Sequence, residues 1–236
     1  MKREPYWVEL LHNLIKGYSK LSKDYAELAK KAGIRTEFLS YESLQKLKAG
    51  AFVAVAQGGY DNSSGILKLS YHPPKTKKKI ALVGKGITFD TGGNNLKTGS
   101  HMFGMNNDMG GSAVVLALCL LAAKEKWPFQ ITGYLAITEN LLTAKAYRPN
   151  DVVTSLKGKT IEVVDTDAEG RMILADTLTL ASREKPDLVM DFATLTGSVI
   201  RALGTQYSGG YSNRKSLRSE EHTSELQSRL HLRMPS

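Results

Sequence analysis

Apolar residues in the first fifth of the chain recur with the spacing of helices and then alternate as in a strand. Residues 8–15 and 24–34 place apolar side chains three and four positions apart, and the second segment ends in a glycine stop. Residues 34–40 alternate between apolar and polar, which predicts a strand. Residues 42–50 predict a short helix that is closed by Gly50.

The next three apolar stretches predict strands. They comprise residues 51–57, 65–71 and 80–84, and a turn-rich stretch of Gly, Asn and Ser separates the first two. The third is apolar enough to be buried on both faces. Helices and strands in this succession favour a layered α/β fold with a sheet in the middle.

A long polar segment interrupts the pattern after Gly84. It is rich in Gly, Asn and Asp and continues to Gly111. Loops of that length in a compact domain are usually functional. Beyond it the pattern predicts a helix, a strand that runs into a loop, a hairpin, a helix, a strand and a short helix. These elements cover residues 112–126, 130–140, 152–164, 170–185, 186–195 and 196–203.

Composition indicates a globular chain and argues against membranes and nucleic acid as its partners. Of the 236 residues 42% are apolar, which is enough for a core, and no apolar run approaches the roughly 20 residues of a membrane span. The N-terminus has no apolar secretory region, so we expect a cytoplasmic protein that does not contact a membrane. The formal charge of +9 has its densest source at residues 75–79. Because no nucleic-acid-binding motif accompanies that run, we interpret it as a solvated loop before a strand and do not expect nucleic acid as a partner.

Two groups of charged residues are candidates for a functional site. Residues 165–171 read DTDAEGR, and carboxylates two positions apart point the same way in an extended backbone, which suits a hard cation. Acidic residues before a helix are also favourable caps, so this constellation alone leaves both interpretations open. The second comprises Lys85, Asp90, Lys97 and Asp108, which follow a buried strand, where open α/β sheets place ligands. A nucleotide site is disfavoured because the glycine patterns of phosphate-binding loops are absent from the sequence.

Four segments carry a more specific pattern: VGKGITFDTGG, NDMGGSA, AYRPNDVV and above all DTDAEGRMILAD. Together they resemble the leucyl aminopeptidase family of dinuclear metallopeptidases, over roughly residues 24–213. The family motif usually begins with Asn where this chain has Asp165, at a position that is not a metal ligand. The resemblance implies a three-layer α/β/α fold with a central mixed sheet, and a partial metallopeptidase catalytic domain over residues 1–217.

The same resemblance implies five ligands for two divalent metal ions, Mn²⁺ or Zn²⁺. Asp90 and Glu169 would bridge the metals, Lys85 and Asp108 would complete the tighter site, and Asp167 would complete the more exchangeable one. Charge counting makes the set coherent, because two divalent cations balance four carboxylates. Lys85 could then ligate only as a neutral amine, which requires its pKa to fall far below the usual value.

Five further residues receive roles from the resemblance. Lys97 would contact the substrate carbonyl, and Arg171 would hold a bicarbonate ion that acts as general base. Both would remain uncompensated cations, suited to stabilising the oxyanion of peptide hydrolysis. Met105 matches a position that lines the pocket for the first side chain, and Thr194 and Gly197 belong to a segment that resembles the one lining the substrate cleft. The implied reaction is the release of N-terminal Leu and other apolar amino acids from peptides.

Other functions stay open at this point. A second kind of two-metal hydrolase, such as a phosphoesterase, would use similar ligands, and a basic DNA-binding or scaffold role would use the net charge. We expect the intact protein to form a homo-hexamer. We expect the 236-residue fragment to be inactive, because the family's N-terminal domain and later catalytic-domain sequence are missing. The sequence leaves open the native metal, the detailed side-chain preference, and whether the fragment folds or associates.

Residues 218–236 differ in kind from the rest of the chain. They lack apolar periodicity, and RSEEHTSELQS at their start matches the translation of a common sequencing-library adapter. We predict that this tail is not native and that the true reading frame was lost between Tyr211 and Leu217. Resequencing the locus tests the prediction, and a natural coding sequence that continues through Arg218 would contradict it.

Overall fold

A mixed five-stranded sheet organises the residues that the computed structural model describes, which are 21–59, 63–76 and 78–214. In chain order the strands are β1 (Arg35–Ser40), β2 (Gly65–Tyr71), β3 (Lys79–Asp90), β4 (Gln130–Asn140), the separate hairpin of β5 (Val152–Thr154) and β6 (Thr160–Glu162), and β7 (Leu188–Phe192). The order across the sheet is β1-β2-β4-β3-β7. β2 pairs antiparallel with β1 and β4, whereas β3 is parallel to β4 and β7. The predicted helix over residues 8–15 and the tail of residues 218–236 lie outside the described residues.

Helices cover both faces of this sheet. They are α1 (Leu21–Lys31), α2 (Tyr41–Lys46), α3 (Gly50–Ala56), α4 (Gly110–Lys124) and α5 (Glu169–Arg183). Short 3₁₀ turns occur at Gly99–Met102, Met105–Asn107 and Thr166–Ala168. A second compact unit begins at Leu195 and contains α6 (Ser198–Leu203).

The two faces of the sheet bury separate cores because successive residues of a strand point to opposite sides. Val83 of β3 and Ala136 of β4 pack with α3 and α5, whereas their neighbours Leu82 and Leu135 pack with α1 and α4. Strands that are covered on both faces read as almost continuous apolar runs, as these do. The predicted three-layer α/β/α fold with a central mixed sheet is confirmed.

The apolar segment 51–57 lies in helix α3 and its C-terminal cap, so the prediction of a strand there is wrong, and Gly50 begins this helix. A short apolar run does not distinguish a buried strand from a buried helix. The deciding contact is distant in sequence. The buried Asp176 carboxylate accepts hydrogen bonds from Phe52 N in the first turn of α3, at 3.0 Å, and from Leu156 N, at 2.7 Å. Asp176 thus supplies the N-terminal acceptor that the local sequence lacks.

Strand β3 continues to Asp90, so Lys85 and Asp90 lie in the sheet and not in the polar segment after it, where the sequence pattern placed them. Glycines on either side of Lys85 permit this. A Cβ at Gly84 would lie 2.6 Å from Ser112 Cα, and a Cβ at Gly86 would lie 2.5 Å from Ser112 Oγ. Helix α4 therefore packs directly on the strand. Because glycine is uncommon in strands, the local sequence does not predict the second half of β3.

The segment from residue 99 to residue 124 is long and apolar enough to cross a membrane by composition alone. Only α4 within it is a continuous α-helix, and it is roughly 22 Å long against the ~30 Å of a bilayer core. Val115, Leu116 and Cys119 of this helix are fully buried in the core. We therefore interpret α4 as a core helix.

Replacement of Asp176 tests how far α3 depends on a distant carboxylate. Asp176→Ala leaves one buried and one partly buried backbone N–H group without acceptors, so we expect the free energy of unfolding to fall by about 2–4 kcal/mol. Urea titration followed by circular dichroism measures the loss. The control Asp187→Ala removes an exposed carboxylate that accepts from Lys79 N, and it should cost less than about 1 kcal/mol. Equal costs for the two variants would contradict the capping role.

Candidate metal site

Polar side chains converge at the carboxyl ends of the parallel strands β3 and β4. Lys85 lies within β3, and Asp90 is its last residue. Asp108 precedes α4, while Asp167 and Glu169 lie in the 3₁₀ turn and first turn that open α5. The five predicted ligands therefore come from three segments and meet at one edge of the sheet. This is where open α/β sheets bind their ligands.

Lys85 is buried between two carboxylates. Its Nζ lies 2.8 Å from Asp108 Oδ1 and 2.8 Å from Glu169 Oε1, and it donates to Thr194 O at 2.9 Å. Burial alone would lower the pKa of Lys85, but the charges of Glu169 and Asp108 outweigh it and raise the pKa above its usual value. The side chain is therefore an ammonium ion, and it can act as a metal ligand only after giving up a proton.

Lys97 bridges the other two carboxylates. Its Nζ lies 2.9 Å from Asp90 Oδ2 and 2.6 Å from Asp167 Oδ1. Burial opposes the charge of Lys97, but hydrogen bonds to Asp167 and Asp90 raise its pKa above the usual value. Lys97 is thus ion-paired with Asp90 and Asp167, which are both predicted metal ligands.

The carboxylates outnumber the cations at this edge of the sheet. Lys85 and Lys97 face four carboxylates, and oxygens of Asp90, Asp167 and Glu169 lie within 4.8 Å of one another. Burial, which outweighs the opposing charge of Lys85, raises the pKa of Glu169 to about 7. Burial likewise raises the pKa of Asp167 above its usual value. The cluster therefore has excess negative charge that a further cation would neutralise.

Asp108 adds a second sign that the donor set fits a metal. Its Oδ2 is buried and lies 2.7 Å from Lys85 Nζ, yet no donor among the described residues is aligned for a hydrogen bond to it. A buried carboxylate oxygen without a hydrogen bond is costly. Carboxylate oxygens together with one amine suit Zn²⁺, Mn²⁺ and related divalent cations. The residues present fit such an ion, and the cluster could hold one.

The other predicted site residues are distributed differently. Thr194 joins the cluster, because its hydroxyl donates to Asp108 Oδ1 at 2.6 Å. Met105 is half-buried in the 3₁₀ turn that ends just before Asp108. Arg171 is exposed in the first turn of α5, lines a hollow of about 510 Å³ beside β6, and makes no hydrogen bond or ion pair with another described residue. Gly197 lies in the second unit, directly before α6.

Sequence reasoning missed two buried residues, Asn140 and Thr166, that connect the parts of the site. Thr166 Oγ1 donates to Gly92 O at 2.6 Å and accepts from Asn95 N at 2.8 Å, and the Thr166 carbonyl accepts from Tyr147 OH at 2.8 Å. These bonds fasten the turn after β3 to the segment before α5. Asn140 could have been found, because it ends the strand that pairs in parallel with β3. No local pattern marks Thr166, which stands between two more conspicuous carboxylates.

Comparisons with known proteins agree on one family. A family model described as the cytosol aminopeptidase family, catalytic domain, matches residues 13–236. A probable cytosol aminopeptidase of Streptomyces griseus is 44% identical over 193 residues, which are 82% of this chain and 37% of that protein. Proteins of the same name from Methylobacillus flagellatus and Azotobacter vinelandii are 43% and 45% identical, over 89% and 81% of this chain and 43% and 40% of their own lengths. The chain spans about two fifths of the length of these curated relatives.

A divalent cation should stabilise the folded chain through this cluster. At a free Mn²⁺ concentration about 100 times the Kd, binding contributes about 2.7 kcal/mol, which raises Tm by roughly 5–10 °C for a domain of this size. Asp108→Asn should remove most of that gain, as measured by differential scanning calorimetry. The control Asp151→Asn changes an aspartate outside the cluster, paired with Arg148, and should keep the gain. Equal stabilisation of both variants would mean that the ion binds elsewhere.

Proposed function

Because this chain belongs to the cytosol aminopeptidase family, we propose that it carries the metal site of an aminopeptidase. The proposed reaction releases N-terminal amino acids, preferably Leu and other apolar residues, from peptides. The observation that best supports it is the meeting of four carboxylates and two lysines at the ends of β3 and β4. We further propose that residues 1–217 are part of the catalytic domain and that residues 218–236 are the non-native tail.

The proposed ligands of two divalent ions are Lys85, Asp90, Asp108, Asp167 and Glu169. Asp90 and Glu169 would bridge the ions, with Lys85 and Asp108 at the tighter site and Asp167 at the more exchangeable one. Burial supports this division, since the side chains of Lys85 and Asp108 are 3% and 8% exposed, whereas that of Asp167 is 34% exposed. Lys85 would release its proton on binding the metal, because an ammonium group has no lone pair.

Bound metal ions supply Lewis acidity toward the scissile carbonyl and lower the pKa of water enough to make it a nucleophile. Two cations of the chain itself have separate proposed roles in the reaction. Lys97 is the proposed donor to the carbonyl oxygen, where negative charge develops. With Asp90 and Asp167 engaged as metal ligands, the ammonium of Lys97 would be free to donate to the substrate. Arg171, which is exposed and makes no ion pair with another described residue, is the proposed holder of a bicarbonate ion that acts as general base.

The proposed substrate is a peptide with a free amino terminus. An amine can ligate one of the metals, which would restrict cleavage to the first peptide bond. Met105 is proposed to line the pocket for the first side chain, and Thr194 and Gly197 are proposed to line the substrate cleft. The flexible thioether of Met105 suits apolar side chains of different shapes.

The metals, the assembly and the location are proposals of the same kind. An oxygen-rich donor set with one amine accepts Mn²⁺ or Zn²⁺ according to availability. We propose a homo-hexamer in the cytoplasm; the relatives carry the name cytosol aminopeptidase, in keeping with that location.

Removal of the Lys97 ammonium tests the proposed reaction. In the protein expressed from the complete locus, Lys97→Ala should lower kcat for Leu-p-nitroanilide about 10²- to 10³-fold, because the contact strengthens as the oxyanion forms. KM should change much less. The control Lys157→Ala changes an exposed lysine at the tip of the β5–β6 hairpin and should leave kcat unchanged.

Metal content, measured on the same samples, separates a chemical effect from loss of the ions. An unchanged kcat in Lys97→Ala at full metal content would contradict the role of Lys97. Release of phosphate from p-nitrophenyl phosphate, without hydrolysis of Leu-p-nitroanilide, would favour a phosphoesterase instead.

A further inference from the structure

Asn140 touches both carboxylates at the centre of the site. It is 1% exposed, and its Nδ2 donates to Asp90 Oδ1 at 2.8 Å and to Thr166 O at 3.0 Å. The same nitrogen lies 3.5 Å from Glu169 Oε2. Carboxylate and carbonyl oxygens are acceptors, so these surroundings require the nitrogen of the carboxamide, and not its oxygen, at this position.

The surroundings of Asn140 leave its carboxamide little freedom. Its backbone carbonyl accepts hydrogen bonds from both Thr91 N and Thr91 Oγ1 at 2.9 Å, which ties the end of β4 to the residue after Asp90. On the other side, a Cβ at Gly93 would lie 3.2 Å from Asn140 Oδ1 and 3.0 Å from Thr166 Oγ1. Gly93 also has a φ of +64°, which favours glycine. Both this backbone conformation and the short distances to a Cβ therefore require glycine at this position. The hydrogen bonds from Thr91 therefore fix the backbone of Asn140, and the close approach of Gly93 restricts its carboxamide.

We propose that Asn140 is a positioning residue that holds Asp90 and Glu169 in the orientation in which both can bridge two metal ions; this inference rests on the proposed function. One Nδ2–H is directed to Asp90, and the other is shared between Thr166 O and Glu169. The shared hydrogen bond tethers the start of α5, which carries Glu169, to the end of β3, which carries Asp90. Asn140 thus spans the two elements that supply the bridging ligands.

The carboxamide of Asn140 is neutral, which suits a side chain that orients carboxylates for metal binding. A lysine here would add a third ammonium group and compete with the metal ions for the carboxylates. An aspartate would add a fifth carboxylate within 3 Å of Asp90 Oδ1, and two anions at that distance repel strongly. Asn140 donates hydrogen bonds without changing the charge balance. Outer hydrogen bonds of this kind typically contribute 10- to 100-fold to metal affinity.

The test compares Asn140→Leu with Asn94→Leu in the full chain, with Mn²⁺ as the only added ligand. Leu keeps the number and branching of the side-chain heavy atoms of Asn and removes its donors. Asn94 is the control, an exposed asparagine of the same region whose Nδ2 donates to Tyr147 O at 2.7 Å and makes no hydrogen bond to a carboxylate of the described residues. Titration calorimetry measures the affinity and stoichiometry, and electron paramagnetic resonance detects the magnetic coupling of two Mn²⁺ ions that share ligands.

For Asn140→Leu we expect Mn²⁺ affinity at one or both sites to fall 10- to 100-fold, with weakened Mn–Mn coupling. Asn94→Leu should bind within about threefold of the unchanged chain and keep the coupled spectrum. Two Mn²⁺ ions bound by Asn140→Leu with unchanged affinity and coupling would overturn this inference and leave the proposed function intact. An unchanged chain that binds no Mn²⁺ would overturn both.

A second measurement decides the question if Asn140→Leu does not fold. Zn²⁺ titration of the unchanged, ¹⁵N-labelled chain should shift the side-chain amide resonances of Asn140 more than those of Asn94. Saturation with Zn²⁺ without movement of the Asn140 pair would overturn the inference.

Discussion

Mutual repulsion among buried carboxylates is the constraint on which this structure depends. Asp90 and Glu169 are each 2% exposed, and their ligand oxygens lie within 4.8 Å of each other. At an effective dielectric constant of about 20, two unit charges at that distance repel by about 3–4 kcal/mol. Lys85 and Lys97 offset this repulsion, because each ammonium group lies between two carboxylates from different segments. The contacts that compensate the charges therefore also join β3, the loop after it and the start of α5.

These ion pairs between lysines and carboxylates require the backbone segments to approach one another without intervening side chains. A Cβ at Gly111 would lie 2.0 Å from Phe192 O and 2.9 Å from Lys85 N, so α4 reaches β3 and β7 only because this residue is glycine. A Cβ at Gly92 would lie 2.4 Å from Asn95 O, and its φ of +85° also favours glycine. The glycines that make the segment look like a loop in the sequence are what bring its charged residues within reach of each other. Close packing and charge compensation are two aspects of one arrangement.

An element can be predicted from sequence when the residues that stabilise it lie nearby along the chain. Strand β4 was predicted where it is observed because its apolar pattern is local and uninterrupted, but its end, which was predicted as a loop, belongs to the strand as far as Asn140. Helix α3 was mistaken for a strand because its N-terminal acceptor, Asp176, is 124 residues from Phe52 along the chain. The second half of β3 was missed because the strand depends on packing that only glycine permits. Of the site, the charged residues were named from motifs, whereas Asn140 went unnoticed because a single neutral amide has no pattern of its own.

Lys97 contacts the oxygens that a metal ion would use. Its Nζ lies within 2.9 Å of both Asp90 and Asp167, which are among the proposed metal ligands. Lysines and metal ions are therefore alternative counter-ions for the same oxygens, and an ion held by the proposed ligands would compete with Lys97 and Lys85 for them. A residue that orients those carboxylates under either counter-ion has to be neutral itself. Among the described residues in hydrogen-bond contact with both Asp90 and Glu169, Asn140 satisfies that requirement.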